Sequence, residues 1–298
     1  MAAAYYTITE GVTLASRTSM GLGGRVIAEV RLDDERGCEA LPELEKKLGG
    51  RVVFLGAGTN IIASDAALPL VLATLQRCDA AVPVGADGGE VLLRVAGGMP
   101  LPLLLARAAS LGLGGLEGLS GIPGSVGGAV AMNAGSFGTE IGRFVRGVRV
   151  YAPCFGIADR PGGDVSFAYR RCTLAGHDGP FLVLGVTLAL PERDGVLIKT
   201  AMRDVMGKKK ASQPVTAKSA GCVFKNPAPD APAGRLLEEA GFKGRRDGGM
   251  AFSSLHANFL VNEGGGTAEQ AFALIARARE AVRGLSGFDL ETEVKIWR

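Results

Sequence analysis

A chain of 298 residues with 47% hydrophobic and 21% charged side chains can bury a sizeable core, which excludes disorder. A net charge of +3 lacks the basic excess of a dedicated nucleic-acid binder but leaves room for small anionic ligands. The cysteines Cys38, Cys78, Cys154, Cys172 and Cys222 show no CxxC spacing and only two histidines accompany them, so no metal site is expected and the thiols read as reduced, cytosolic ones.

The N-terminal "MAAAYYTITEGVTLAS" has neither a basic n-region nor a long apolar core, so no secretion signal is expected. No window approaches the roughly 18 apolar residues of a membrane span. Residues 25–32 alternate apolar and polar, as a half-buried strand does. Helical composition over 38–50 ends in a glycine stop, and "RVVFL" (51–55) is a short buried strand. Together they predict a strand–helix–strand unit leaving into the glycine loop "GAGTN". A strand over 91–98 and a helix over 100–112, with proline in its first turn, come next. Residues 112–142 are dense in glycine. Strands "VRGVRVYAP" and "FLVLGVTLAL" follow without a helix between them, an α+β pattern.

After Pro191 the character turns helical: 196–210, 233–241 and 267–285, the last opening on a Thr267 cap with Gln270 at the capping-box position. "EVKIW" closes the chain as a strand. A domain boundary is expected near residue 191, giving domains 1–190 and 191–298.

Two glycine segments suit a ligand. In "LGAGTNIIASD" (55–65), Gly56 and Gly58 let backbone N–H groups turn toward a phosphate, and Thr59 and Asn60 add donors. The third glycine of a GxGxxG fingerprint is missing, so an ordinary turn after a strand stays open. "GLEGLSGIPGSVGGAVAMNAGSFG" (115–138) reads as too irregular for a helix and too glycine-rich for an ordinary strand. Such a small-residue surface suits a flat ligand such as a flavin, or a close crossing of two lobes. Cys222 in "SAGCVFKNP" reads, by itself, as a buried core thiol.

"LGAGTN", "GIPGSVGGAVAMNAGSFG", "FAYRR", "SAGCVFKNP", "AGRLLEEAGFKG", "HANFLVN" and "ETEVKIW" occur in that order. In this the chain resembles the UDP-N-acetylenolpyruvoylglucosamine reductase family, from about residue 18 to the last strand, in a shorter subtype without an extra capping loop. The resemblance implies an α+β fold: a two-lobed FAD-binding domain of the vanillyl-alcohol-oxidase type (PCMH type), its lobes split near residue 69, followed by a smaller α+β substrate-binding domain. It implies non-covalent FAD, NADPH as co-substrate, a UDP-sugar substrate and a cytoplasmic enzyme of peptidoglycan precursor synthesis. No nucleic-acid, membrane or obligate protein partner is expected.

Residue by residue, the resemblance implies cofactor contacts at Gly56, Gly58, Thr59, Asn60, Pro123, Gly124, Ser125 and Gly128. It implies a catalytic arginine at Arg170, followed by Arg171 and Cys172 where the family has an acidic residue and a small hydroxyl. It makes Cys222 the proton donor, in place of the family's usual serine, and Glu293 rather than Glu291 the catalytic glutamate. Tyr169, Asn226 and Lys208 are the implied substrate contacts, and His256 has a structural role. Two other functions compete. An alcohol oxidase of the same superfamily would need a His or Cys for covalent flavin, and neither histidine lies in the glycine-rich segments. A non-catalytic flavin- or sugar-nucleotide-binding protein would account for Arg171, Cys172 and Cys222.

Overall fold

Residues 5–76 and 81–298 are described by a computed structural model; Cys78 and the first four residues lie outside them. The chain forms two compact units. One comprises Met1–Glu10, Ile27–Ala57 and Pro69–Gly207, the other Gly11–Val26, Gly58–Leu68 and Lys208–Arg298.

Among the described residues the first unit holds two larger sheets. In one, Tyr6–Glu10, Val26–Leu32, Leu68–Leu75 and Arg51–Phe54 lie side by side in that order. Arg51–Phe54 and Leu68–Leu75 are parallel, an arrangement that needs a crossover, supplied by residues 55–67. Ahead of it, a 3-10 stretch Glu35–Ala40 leads into helix Leu41–Leu48, with Pro42 in the first turn and Gly49 closing it at φ 73°. Leu41 and Leu44 of that helix bury against Val30, Leu32, Val71 and Ala73. The expected lobe split near residue 69 falls within the strand Leu68–Leu75. Leu68–Leu75 is buried along most of its length because it lies between two strands, so the change of sheet falls after residue 75.

The second sheet is antiparallel throughout, in the order Gly156–Pro161, Val145–Ala152, Leu182–Leu190, Glu90–Ala96, Ala81–Asp87. Strand alternation divides its faces. Val148, Val150, Val186 and Leu188 enter the largest core, whereas Tyr151 and Leu184 join the core of the first sheet. Helix Leu101–Ser110 covers the larger core with Leu101, Leu104, Leu105 and Ala108.

The second unit is built on the antiparallel sheet Lys218–Cys222, Phe259–Asn262, Met250–Phe252, Arg246–Asp247. Helix Ala268–Ser286 starts at the expected Thr267–Gln270 capping box and buries Ala271, Leu274, Ile275, Ala278 and Val282, the stripe that a 3.6-residue repeat produces. Strand Lys295–Trp297 pairs parallel with Ile61–Ala63. The Asp65 carboxylate accepts from Ala268 N at 2.6 Å, which places an anion at a helix start.

The two contact units do not follow the expected division at residue 191. Residues 11–26 and 58–68 belong with the C-terminal segment, since their pairing partners lie at the far end of the sequence. Helix Gly195–Ser212 runs through the expected 196–210. No helix among the described residues is long and apolar enough to cross a membrane.

Candidate active site

In the first unit the two glycine segments meet. A Cβ on Gly56 would lie 2.7 Å from Ser125 Oγ, and that hydroxyl also accepts from Gly128 N at 3.2 Å. Ser125 thus caps a short helix, Val126–Ala131, where the sequence pattern argued against any helix. The small residues are there for packing. A Cβ on Gly127 would lie 2.9 Å from Val183 O and 3.0 Å from Gly97 O, so only glycine lets the helix lie on the sheet. Gly56, Pro123 and Gly128 stay exposed at the loop surface, and Gly124 holds φ 128°.

Ser120 is a residue that motif reading passed over. It is 4% exposed, and its Oγ finds no hydrogen-bond partner among the described residues. A buried hydroxyl without a partner is costly. Exposed glycine backbone, a position closed to a Cβ and an orphaned hydroxyl together fit the flat flavin and diphosphate of FAD.

Arg170 occupies the two-residue turn of the hairpin Val165–Ala168/Arg171–Leu174, in which Ala168 pairs with Arg171. Its φ is 56°, a conformation that costs a non-glycine residue on the order of 1–3 kcal/mol and recurs at functional sites. The guanidinium donates from Nη2 to Gly135 O at 3.2 Å and lies 4.9 Å from the Tyr169 ring centroid. Arg171 is exposed. Cys172 packs in the core, where burial pushes its thiol up to about 11. The two departures from the family pattern thus have separate surroundings, one solvent and one core.

In the second unit the segments carrying Cys222 and Glu293 run side by side. Phe224 and Thr292 form an antiparallel bridge, and Glu293 N donates to Val223 O at 2.8 Å. Cys222 is half-buried at the end of Lys218–Cys222. A register shift between Ser219 and Cys222, with Gly221 at φ 81°, bends the strand just before it. Asn258 secures the next residues, accepting from Phe224 N and donating to Phe224 O. Asn60 joins the group: its Nδ2 donates to Glu293 O at 3.3 Å, and its carbonyl accepts from Lys295 N. Gly58, at φ 64°, is also closed to a side chain, because a Cβ would run into Arg17 O. Thr59 follows it in the same turn.

Glu291 is exposed and paired with Lys225 at 2.5 Å, which holds its carboxyl below the usual range. Glu293 is half-buried. The Asn226 side chain accepts from Ala233 N at 2.9 Å and so tethers the start of helix Ala233–Glu239. His256 accepts from Asn258 N through Nδ1 and lies edge-on to Phe259, surroundings that fit a structural residue. Lys208 is exposed, whereas Lys209, its neighbour in the lysine triplet, is 3% exposed with its ammonium pushed down to about 8 by burial. Among the described residues no three His, Cys, Asp or Glu side chains gather as a metal would require.

Residues 27–154 match a family model described as FAD binding domain, and residues 213–297 match one described as UDP-N-acetylenolpyruvoylglucosamine reductase, C-terminal domain. With the glycine loops above, they define an FAD-containing oxidoreductase with a two-unit α+β fold. The chain is 50% identical over 289 residues to the UDP-N-acetylenolpyruvoylglucosamine reductase of Nitratidesulfovibrio vulgaris, covering 97% of this chain and 98% of that one. It is 35% identical over 291 residues to that of Thermotoga maritima, covering 95% and 96%. The crystal structure of the reductase from Thermus caldophilus matches with a TM-score of 0.81 at 33% identity, covering 99% of this chain and 100% of that one. The chain belongs to the UDP-N-acetylenolpyruvoylglucosamine reductase family.

Proposed function

We propose that this chain binds FAD non-covalently and uses NADPH to reduce UDP-N-acetylglucosamine enolpyruvate to UDP-N-acetylmuramate, a peptidoglycan precursor. What carries the reading is the family likeness along 97% of the chain, joined to glycine loops that fit the cofactor. Bound FAD supplies the hydride, taken from NADPH. The residues that would hold it are Gly56, Pro123, Gly124, Ser125, Gly128 and Ser120, together with Gly58, Thr59 and Asn60.

Hydride addition at the enolpyruvyl β-carbon builds negative charge on the α-carbon and its carboxylate. Arg170 meets that charge, since a guanidinium stays protonated and can fork onto a carboxylate. Cys222 then delivers a proton to the α-carbon. A thiol has a reference pKa of about 8.5 and is mostly protonated at neutral pH; a positioned general acid contributes about 10²–10⁴-fold. Glu293, on the segment beside Cys222, polarises the site. Tyr169 and Asn226 contact the substrate, Asn226 through its amide N–H groups. For the substrate lysine the reading moves from Lys208 to Lys209, the inward-facing member of the triplet.

Both NADPH and a nucleotide sugar are cytoplasmic, so the cytoplasm is the compartment that fits. The reaction itself calls for no nucleic acid, membrane or obligate protein partner. The test is direct. Purified protein should be yellow, release its flavin on acid precipitation and, beyond the one equivalent that reduces its flavin, turn over NADPH only when UDP-N-acetylglucosamine enolpyruvate is present. Colourless protein that takes up no FAD contradicts the reading.

A further inference from the structure

Among the described residues, three besides glycine have positive φ: Asn133 (42°), Phe137 (48°) and Arg170 (56°). They belong to one assembly within the first unit. Asn133 is 1% exposed. Its Nδ2 donates to Ala168 O at 3.0 Å and to Glu140 Oε2 at 3.2 Å, while its Oδ1 accepts from Gly142 N at 3.1 Å. Ala168 is the last residue before the Tyr169–Arg170 turn.

Two residues after Asn133, Gly135 supplies the carbonyl that takes the Arg170 guanidinium. Gly135 opens the ribbon Gly135–Ser136/Thr139–Glu140, turned by Phe137 and Gly138, both at positive φ, as a tight two-residue hairpin turn requires. Ser136 Oγ donates to Gly118 O, tying this ribbon to the segment that contains Ser120. Asn133 therefore grips the backbone of the arginine turn at one end, and its own ribbon grips the guanidinium at the other. Asparagine suits the position because it tolerates a left-handed backbone and offers a donor and an acceptor together.

We propose that Asn133 is a positioning residue: its donation to Ala168 O, with the Gly135 carbonyl, fixes Arg170 in the strained turn where it faces the charge that develops on the substrate carboxylate. The proposal rests on the catalytic role given to Arg170 above. Misplacing a charged group by about 1 Å costs about 10²-fold in rate.

Asn133→Asp keeps the tolerance for positive φ and the acceptor for Gly142 N but replaces the donor to Ala168 O. The variant holoenzyme should keep its bound FAD and its rate of flavin reduction by NADPH. Oxidation of the reduced enzyme by UDP-N-acetylglucosamine enolpyruvate should slow about 10²-fold. In an Arg170→Ala background the same change should add little, because the two residues act as one unit. Should a carboxylate beside Glu140 prevent folding, Asn133→Asp with Glu140→Gln removes the like-charge pair and should fold, yet remain slow at pH 8 because Ala168 O still lacks its donor.

Equal slowing of both half-reactions, fully additive losses with Arg170→Ala, or recovery of speed in the double variant each overturns the proposal. Arg170→Ala with an intact oxidative half-reaction would instead remove the catalytic reading of Arg170. A severe Arg170→Ala beside a wild-type-like Asn133→Asp would remove only the positioning role.

Discussion

Cys222 is both the boldest residue assignment and the one that chemistry can probe without changing the fold. It stands half-buried at a strand end, and alkylation, which removes the thiol proton, would end its use as an acid. Iodoacetamide should abolish turnover of the wild type and spare Cys222→Ser. The exposed Cys154, beside His177 at 3.4 Å, will react in both, so equal inactivation of the two proteins would point away from Cys222. Lys209 offers a pH signature. Burial lowers its folded-state pKa from 10.5 to about 8, so between these values the unfolded chain holds a proton that the folded chain has released. Stability from this residue therefore rises with pH across that window, and its cost is complete below pH 8. Lys209→Met should raise the thermal midpoint at pH 7, with the gain shrinking toward pH 10, while weakening substrate binding in KM. A pH-independent difference contradicts the first half, an unchanged KM the second. At this scale the sequence shows the motifs that carry Gly56, Arg170, Cys222 and Glu293, to which roles are proposed above. Ser120, Asn133 and the choice of Lys209 within its triplet leave no trace in spacing, because they rest on burial and on a missing or bridging hydrogen bond.

Among the elements, glycine positions separate sites built for close approach from sites of mere permissiveness. At Gly56 a Cβ meets Ser125 Oγ at 2.7 Å; at Gly207, inside helix Gly195–Ser212, it meets nothing within 4 Å. Gly56→Ala should weaken FAD binding by at least about tenfold, a loss of about 1.4 kcal/mol. Gly207→Ala should leave FAD affinity alone and stabilise the protein by about 0.5–1 kcal/mol. Flavin fluorescence titration and thermal melts read both, and matched behaviour of the two variants would deny that the Gly56 loop is a cofactor surface. Strand and helix positions with clean periodicity, such as Val26–Leu32 and Ala268–Ser286, could be read from the chain to within a residue or two. Helix Val126–Ala131 could not, since its glycines answer to the sheet beneath it rather than to helix propensity.

For the whole molecule, chain order and spatial order differ. The second unit takes a strand from Ile61–Ala63 and a segment from Gly11–Val26, which no local pattern announces. A fragment of residues 191–298 lacks the parallel partner of Lys295–Trp297 and part of the apolar core, including Met20, Leu22 and Ile62. Its proton–nitrogen correlation spectrum should be collapsed; a dispersed one would show that 191–298 folds by itself. The α+β class and the cofactor-binding character were legible because glycine loops and uninterrupted strands are local signals; the division into units was not. The central claim is that an NADPH-fed flavoenzyme completes its reaction by proton delivery from Cys222. It is tested most directly by single-turnover formation of UDP-N-acetylmuramate from pre-reduced holoenzyme. Cys222→Ala should be slower by about 10²–10⁴-fold while Cys222→Ser stays within about tenfold of the wild type; product formed by Cys222→Ala at the wild-type rate would contradict the claim.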